Sequence, residues 1–167
     1  MDGRSDRESA PLKNIGPVTI TTPGDRQIVV TRIFDAPRAM VFEAWTKAEH
    51  VAHWWDPSGR PLAVCEIDLR PGGAFRWVNR TPDGGEGHSF AGIYREIDPP
   101  GRLVFTAPDS HERGATLIFT EDGKKTKLTI IMECATRQER EAMLQMRVDA
   151  GTAQTLENLA AYLPMIA

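Results

Sequence analysis

Six strand-like runs follow one another between residues 61 and 134, and they restrict the fold more than any other feature of the sequence. Each run is rich in β-branched and aromatic residues, and turns containing Gly, Pro or Asp separate it from the next. The runs cover residues 61–69, 74–80, 88–97, 102–106, 115–121 and 125–134. Their connections are too short for parallel crossovers, so the sequence predicts an antiparallel meander.

Two short helices are predicted before this meander. A strand at residues 27–34 ends at an Asp-Ala-Pro sequence, and the residues that follow have the apolar spacing of a helix. The first helix is predicted at 38–45 with Asp35 as its N-cap, and the second at 47–54 with Thr46 as its N-cap. The order at the front of the chain is therefore strand, helix, helix.

One long helix is predicted after the meander, from residue 137 to about residue 163, with Thr136 as its N-cap. Its apolar residues recur at steps of three and four along one face, and they are Met143, Met146, Ala150, Ala153, Leu156, Leu159 and Leu163. Gly151 lies in the middle of this helix, where glycine costs about 1 kcal/mol relative to alanine. We therefore expect a kink at Gly151 or a neighbour packed closely against it.

An amphipathic helix and a curved antiparallel sheet bury their apolar faces against each other. The sequence thus predicts an α+β fold in which a sheet of about seven strands wraps around the C-terminal helix. The length of 167 residues suits one domain, which we assign to residues 25–167. Residues 1–24 are polar and rich in Pro and Gly, so they are predicted to be a flexible leader with one short extended piece at 18–22.

Composition and charge exclude several classes of protein. The net charge of -3 gives no basic face for nucleic acid, and the sequence has no run of about 18 apolar residues that would span a membrane. The N-terminal residues lack the apolar segment of a secretory signal, so a cytoplasmic location is predicted. Cys65 and Cys134 lie in strand-like runs, and we interpret them as reduced, buried thiols in preference to a disulfide.

Several longer motifs carry a family resemblance, and they occur in a fixed order along residues 26–163. They are TRIFDAPRAMVFEAWT, HVAHWWDPSG, CEIDLRPGGAFRW, GIYREIDPPGRLVFT, TEDGKKTKLTI and GTAQTLENLAAYL. In these motifs the chain resembles the START-like helix-grip superfamily (SRPBCC). Within it, the most similar branch is the bacterial domains named as activator of heat shock protein 90 ATPase homologues or as polyketide-cyclase-like proteins.

The resemblance implies a cavity between the sheet and the C-terminal helix, with the two short helices closing one end. Many members of this superfamily bind apolar or amphipathic small molecules there, and a few are hydrolases, cyclases or aromatases. One departure concerns Thr152, because members of this branch often carry a bulky or polar residue directly after the central glycine of the helix.

The neighbouring indoles of Trp54 and Trp55 are the first candidates for ligand contact. Neighbours in a helix cannot share one face, so one indole is expected in the core and the other at the mouth of the cavity. Alternation along the strands adds further candidates, and Met143 and Met146 on the last helix are expected to face them. The complete set is Trp54, Trp55, Phe75, Trp77, His88, Phe90, Tyr94, Met143 and Met146. An ordinary core remains the alternative interpretation of these aromatic residues.

Three functions stay open from the sequence. The leading one is a non-enzymatic domain that binds an apolar or aromatic small molecule, with no cofactor. The second is a hydrolase or cyclase that uses His88 or Tyr94 as its acid–base group. The third, implied by the family name, is a module that stimulates a chaperone ATPase, and a homodimer is compatible with any of the three.

Other reactive residues give weaker signals. His50 and His53 lie three apart on a predicted helix with Asp56 nearby, but no third ligand has matching spacing, so we expect surface histidines and no metal. Glu66 and Asp68 share a strand face that is expected to point to solvent. The serines lack the sequence context of a nucleophile, and they are Ser58, Ser89 and Ser110.

Overall fold

The computed structural model describes residues 12–167, and the molecule is organised around one antiparallel sheet of nine strands. Neighbouring strands pair in the order β1-β2-β3-β9-β8-β7-β6-β5-β4. In chain order these are β1 Leu12–Ile15, β2 Val18–Thr21, β3 Gln27–Phe34, β4 Val64–Ile67, β5 Ala74–Arg80, β6 Glu86–Asp98, β7 Arg102–Ala107, β8 Ser110–Asp122 and β9 Lys125–Glu133. The predicted α+β fold and its six-strand meander, β4–β9, are confirmed.

Within the described residues, four helices and one short turn of 3-10 helix accompany the sheet. They are α1 Arg38–Thr46, α2 Ala48–Trp54, α3 Arg137–Gln145, α4 Val148–Tyr162 and the 3-10 turn Leu163–Met165. Helices α1 and α2 lie in the connection between β3 and β4, as the sequence predicts. Among residues 12–167, no helix combines the length and the apolar character needed to cross a bilayer.

The sheet has nine strands instead of about seven because the end of the assigned leader forms a hairpin. Strand β1 pairs with β2, and β2 pairs with β3. Gly16 supplies a positive φ of 57° in the turn, and Val18 and Ile20 are only 1% and 2% exposed. The ordered sheet therefore begins before residue 25, and residues 1–11 of the assigned leader lie outside the described residues.

The predicted C-terminal helix is two helices, and the break lies at Met146 and Arg147 instead of at Gly151. Arg147 has a left-handed backbone with φ 61°, which is uncommon for a residue with a side chain. A Cβ at Gly151 would meet no atom within 4 Å, so the expected close neighbour is also absent there among the described residues. Periodicity predicted the buried face of α4 correctly, but it carried no sign of the break, and Met146 at the break is 82% exposed.

One of the three predicted helix caps is observed. The Thr136 hydroxyl accepts a hydrogen bond of 3.0 Å from the backbone N–H of Glu139. Helices α1 and α2 begin after Pro37 and Lys47, and neither has a side-chain cap. The hydroxyl of Thr46 instead donates to the carbonyl of Phe42 inside α1, so it is not available as a cap.

The packing of β5 on β6 depends on a glycine. Phe75 and Gly92 are opposite each other in the ladder, and the Phe75 ring lies over Gly92. A Cβ at Gly92 would lie 2.5 Å from Cε2 and Cζ of Phe75, closer than van der Waals contact permits. The packing of the Phe75 ring in the aromatic core therefore requires glycine at position 92.

Candidate functional site

A cavity of about 650 Å³ lies between the inner face of the sheet and helices α3 and α4. Its size falls within the range of about 300–1,000 Å³ that is typical of small-molecule sites. Aromatic, aliphatic and methionine side chains dominate its lining. These apolar residues are Trp45, Trp55, Pro57, Phe90, Ala91, Phe105, Ala107, Ala115, Leu117, Ile130, Met132, Met143, Met146, Val148 and Leu156.

Five of the nine candidate ligand residues from the sequence line this cavity: Trp55, His88, Phe90, Met143 and Met146. The other four lie behind the wall, each no more than 2% exposed: Trp54, Phe75, Trp77 and Tyr94. For the candidates on strands, the alternation identified the correct face of the sheet. It could not separate the lining residues from the layer behind them, because the depth of a side chain below the cavity surface depends on sheet curvature. A role in ligand binding stays a prediction for the lining residues.

The paired indoles divide between the core and the cavity. Trp54 is 1% exposed, and its Nε1 donates a hydrogen bond of 3.1 Å to the carbonyl of Ala44 in α1. Trp55 is half-buried and lines the cavity. Its ring stacks on Phe90 at 5.3 Å and meets the edge of Trp77 at 4.6 Å. The first indole therefore joins α2 to α1, and the second forms part of the cavity wall.

Side chains of α4 hold the backbone around Trp55. The Thr155 hydroxyl donates a hydrogen bond of 3.0 Å to the carbonyl of Trp55. The Asn158 amide donates one of 2.9 Å to the carbonyl of Asp56. Because both acceptors belong to the segment after α2, the position of the Trp55 ring is coupled to α4, which forms the opposite wall.

A second aromatic layer supports the wall from behind. Phe75 contacts Tyr94 at 5.1 Å and meets Phe105 edge-on at 5.0 Å. Burial, with a smaller contribution from the neighbouring Cys65 thiol, raises the pKa of Tyr94 far above its ordinary value. The Tyr94 hydroxyl and the Trp77 Nε1 have no hydrogen-bond partner among residues 12–167. Tyr94 is therefore a neutral packing group and does not reach the cavity.

The sequence-based candidates did not include several residues that line the cavity. For some of these, a small side chain was the feature that could have indicated space beside them. Gly151 and Thr152 line the cavity where larger side chains would take up its space, and Gly114 lines it where a Cβ would clash with the backbone of Phe105 and Thr106. Thr152, which departs from the family pattern, leaves volume beside Gly151. Trp45 and Met132 were also missed. Both belong to buried faces that the apolar pattern identified, but that pattern does not reveal where a gap lies.

Charged residues also line the cavity, and each is bound to a neighbour. The Nη2 of Arg113 lies 3.2 Å from Asp109, and its Nε lies 3.6 Å from Glu139. The Nε of Arg147 lies 3.1 Å from a carboxylate oxygen of Asp149. The Glu133 carboxylate accepts a hydrogen bond from the Gln27 amide, so these charges are neutralised or bonded locally.

Asp149 joins the first strand to the start of α4. It is 4% exposed, and its second carboxylate oxygen lies 2.9 Å from the Nζ of Lys13 on β1. Burial alone would raise the pKa of Asp149, but the hydrogen bonds from Lys13 and Arg147 outweigh it and lower that pKa to about 2. The carboxylate therefore stays ionised at neutral pH and keeps both cations in place.

Helix α3 covers the cavity and is attached by a buried cation and by partly buried apolar contacts of Met143 and Leu144. Its one fully buried residue is Arg140, whose Nη1 donates a hydrogen bond of 2.8 Å to the carbonyl of Gly24. The same atom lies 3.4 Å from the carbonyls of Thr22 and Gln27. On the same helix, the Sδ of Met143 lies 3.4 Å from the Sγ of Cys134.

The two helical histidines lie away from the cavity. The Nδ1 of His50 lies 2.7 Å from the hydroxyl of Tyr162, and the exposed His53 ring stacks on the same tyrosine at 5.7 Å. Glu66 and Asp68 are exposed, in agreement with the sequence analysis. Within the described part of the chain, no group of three or more His, Cys, Asp or Glu side chains is arranged to hold a metal ion.

Both cysteines are free thiols, and only one of them is fully buried. Cys134 is 1% exposed, whereas Cys65 on the edge strand β4 is half-buried, so the prediction of two buried thiols was half right. Burial raises the pKa of the Cys65 thiol to about 11. Neither thiol is activated as a nucleophile in this environment.

An antiparallel sheet that wraps a C-terminal helix, with two short helices in the connection after the third strand, defines the helix-grip class of α+β domains. The chain belongs to the family described as Activator of Hsp90 ATPase homolog 1-like protein, whose profile matches residues 35–164. The resemblance stated from the sequence is thereby confirmed. A search of curated proteins finds no match.

Solved bacterial structures share this fold at low sequence identity. A protein of Rhodobacter sphaeroides has a TM-score of 0.81 and 21% identity, over 90% of this chain and 99% of its own. A protein of Nitrosomonas europaea has a TM-score of 0.78 and 22% identity, over 86% and 97%. The AHSA1-like protein of Aeromonas hydrophila has a TM-score of 0.64 and 21% identity, over 83% and 93%. At these identities the likeness establishes the fold alone.

Proposed function

We propose that this chain is a small-molecule binding domain whose ligand, apolar or aromatic, occupies the cavity beneath α3 and α4. The observation that carries the proposal is the cavity of about 650 Å³ with a mainly apolar lining and few polar groups. A cavity of this size and lining is the usual form of a small-molecule site, so it favours a ligand as the occupant.

The wall around Trp55 is suited to an aromatic ligand. The Trp55 indole is fixed by Phe90, by Trp77 and by the bond from Thr155, so little freedom is lost when a ligand stacks on it. Met143 on α3 and Met146 directly after it supply flexible, polarisable contacts that adapt to ligand shape. Burying about 200 Å² of apolar ligand surface contributes about 5 kcal/mol before the costs of association.

An enzyme that uses the same cavity has less support. Tyr94 is buried behind the wall with a raised pKa, so it is not an acid–base group for a cavity ligand. His88 is exposed at the rim, and among residues 12–167 its ring has no hydrogen-bond partner that would orient it. General acid–base catalysis needs a group held within reach of the reacting atom, and neither residue meets that condition.

A chaperone-stimulating module, which the family name suggests, requires an exposed interaction patch. The large exposed apolar residues of the described chain are Ile33, Leu69, Met146 and Met165, and they lie on separate elements. Single exposed apolar residues are ordinary on a protein surface. The cavity therefore gives stronger support to small-molecule binding than the surface gives to a protein partner.

Tryptophan fluorescence tests the proposal, with Trp54→Phe and Trp55→Phe as a matched pair of variants. We expect saturable quenching by a member of a panel of uncharged aromatic compounds in the wild type and in Trp54→Phe. The quenching should be lost or weakened at least fivefold in Trp55→Phe. Equal loss in both variants, or no saturable response from any compound, would show that the cavity is not a ligand site.

A further inference from the structure

The charges that line the cavity cancel. Two arginines and two glutamates contribute to the wall, and they are Arg113, Arg147, Glu133 and Glu139. With histidine counted as neutral, their formal sum is zero. A pocket that receives a carboxylate or an ammonium normally presents an opposite charge that is available to it, because burying an uncompensated ion is costly.

Both arginines are already paired with carboxylates, and both side chains stay partly exposed to solvent. Arg113 lies between Asp109, at 3.2 Å, and Glu139, at 3.6 Å. Arg147 lies 3.1 Å from Asp149, a buried carboxylate that Lys13 also binds. Their remaining N–H groups are solvated, so an incoming carboxylate gains only a weak, screened contact there while it loses its own hydration.

The two glutamates are engaged in the same way. Glu139 accepts a hydrogen bond of 2.8 Å from the backbone N–H of Ala135 as part of the cap of α3. Glu133 accepts one from the Gln27 side chain on the neighbouring strand. A ligand cation would therefore compete with the structure that holds α3 and β9 in place.

Uncharged polar groups remain available to a ligand. The side chains of Asn79, His88 and Thr152 line the cavity, and none is bonded to another group among residues 12–167. Together they offer donors and acceptors suited to a hydroxyl or a carbonyl. They approach from β5, β6 and α4, on both sides of the space beside the Trp55–Phe90 stack.

We infer that the cavity takes an uncharged aromatic compound carrying hydroxyl or carbonyl groups and that it rejects the carboxylate of the same ring system. This inference rests on the proposed function and narrows the ligand class of the same site. The ion pairs Arg113–Glu139 and Arg147–Asp149 act as the discriminating elements, because each offsets an arginine charge that would otherwise attract an anion.

Isothermal titration of the intact chain at pH 7 with 2-naphthol and 2-naphthoate tests this inference. The two compounds share one ring system and differ in charge. We expect 2-naphthoate to bind at least tenfold more weakly than 2-naphthol. Equal affinity, or tighter binding of 2-naphthoate, would overturn the charge discrimination and leave the proposed function standing. Binding of neither compound would count against both.

A charge-releasing variant tests the cause of the discrimination. Glu139→Gln keeps an acceptor for the Ala135 N–H but frees Arg113 from one of its carboxylates. The ratio of the two dissociation constants should fall at least threefold in this variant, and further when Asp109→Asn is added. The control is Asp68→Asn, which removes the exposed partner of Arg70 outside the cavity. An unchanged ratio in the double variant would contradict the role assigned to the Arg113 pair.

Discussion

The hydroxyl of Thr155 donates a hydrogen bond of 3.0 Å to the backbone carbonyl of Trp55, one hundred residues earlier in the chain. The bond joins the two walls of the cavity, since Trp55 follows α2 and Thr155 lies on α4. A buried carbonyl without its donor is destabilising. The geometry of the indole that faces the cavity thus depends on a residue of the opposite wall.

Replacing Thr155 should weaken ligand binding more than it weakens the fold. In Thr155→Val the shape is kept but the donor is lost, so we expect about 1 kcal/mol less stability and a several-fold loss of affinity for the compound that quenches Trp55. Urea denaturation and fluorescence titration measure the two effects. Thr155→Ser retains the donor and should restore affinity, whereas equal losses in Val and Ser variants would contradict this role.

Gly92→Ala should destabilise the domain through the aromatic layer behind the cavity. The added methyl would lie 2.5 Å from two atoms of the Phe75 ring and 3.1 Å from the carbonyl of Thr106. Such overpacking costs about 1–3 kcal/mol. Thermal denaturation of Gly92→Ala, with and without Phe75→Leu, provides the check. If the smaller leucine does not recover part of the loss, the clash with Phe75 is not the cause.

Gly151→Ala should have the opposite effect on stability. Alanine is favoured over glycine inside a helix by about 1 kcal/mol, and a Cβ at this position meets nothing within 4 Å. Because Gly151 lines the cavity, the methyl enters the ligand space. We expect a higher melting temperature together with weaker ligand binding. A variant that gains stability and keeps full affinity would show that ligands do not approach this part of α4.

Asp149→Asn should lower the free energy of unfolding by about 2 kcal/mol near neutral pH, from the difference between the ordinary and the folded pKa. The folded pKa is lowered to about 2 from 3.8, so the stabilisation is present above about pH 4 and is lost as the pH falls towards 2. Denaturation at pH 6 and pH 2.5 measures the difference from wild type. Asp68→Asn, at an exposed pair, should change stability by less than about 0.5 kcal/mol. A difference for Asp149→Asn that is equal at both pH values would refute the linkage.

Arg140→Gln should loosen α3 selectively. The substitution removes the guanidinium that reaches the carbonyls of Thr22, Gly24 and Gln27. We expect amide hydrogens of α3 to exchange at least tenfold faster, while those of α4 and the central strands change little. Arg137→Gln, an exposed position on the same helix, is the matched control. Uniform acceleration across the domain would mean that Arg140 supports the whole fold instead.

The local residue pattern was enough to predict most of the sheet and much of the apolar face of the C-terminal helices. The features that it missed depend on tertiary contacts. Alternating side chains predicted β4–β9, because a half-buried strand has a period of two. The extended piece predicted at 18–22 corresponds to β2, but its partner β1 was missed, since four-residue strands are too short to show that period. At the break, Arg147 contacts Asp149, which also binds the distant Lys13, and periodicity carries no information on such contacts.

The residues of the candidate site were also predicted only in part. The sequence identified Trp55, Phe90 and Met143 because they belong to faces that must be apolar. It also included Phe75 and Tyr94, which share those faces but lie one layer deeper. Depth below a curved surface is set by strand twist and by small residues such as Gly92 and Gly114. The residue pattern of a single strand contains no information about that depth.

The way α3 is attached also bears on how molecules enter and leave. Hydrogen bonds from Arg140 to peptide oxygens combine with apolar contacts of Met143 and Leu144 that are only partly buried. Detachment of α3 alone would therefore add less to the heat capacity and to the denaturant m-value than unfolding of the sheet, because both scale with exposed area. We expect a ligand of the cavity to exchange through this local opening while the sheet stays folded.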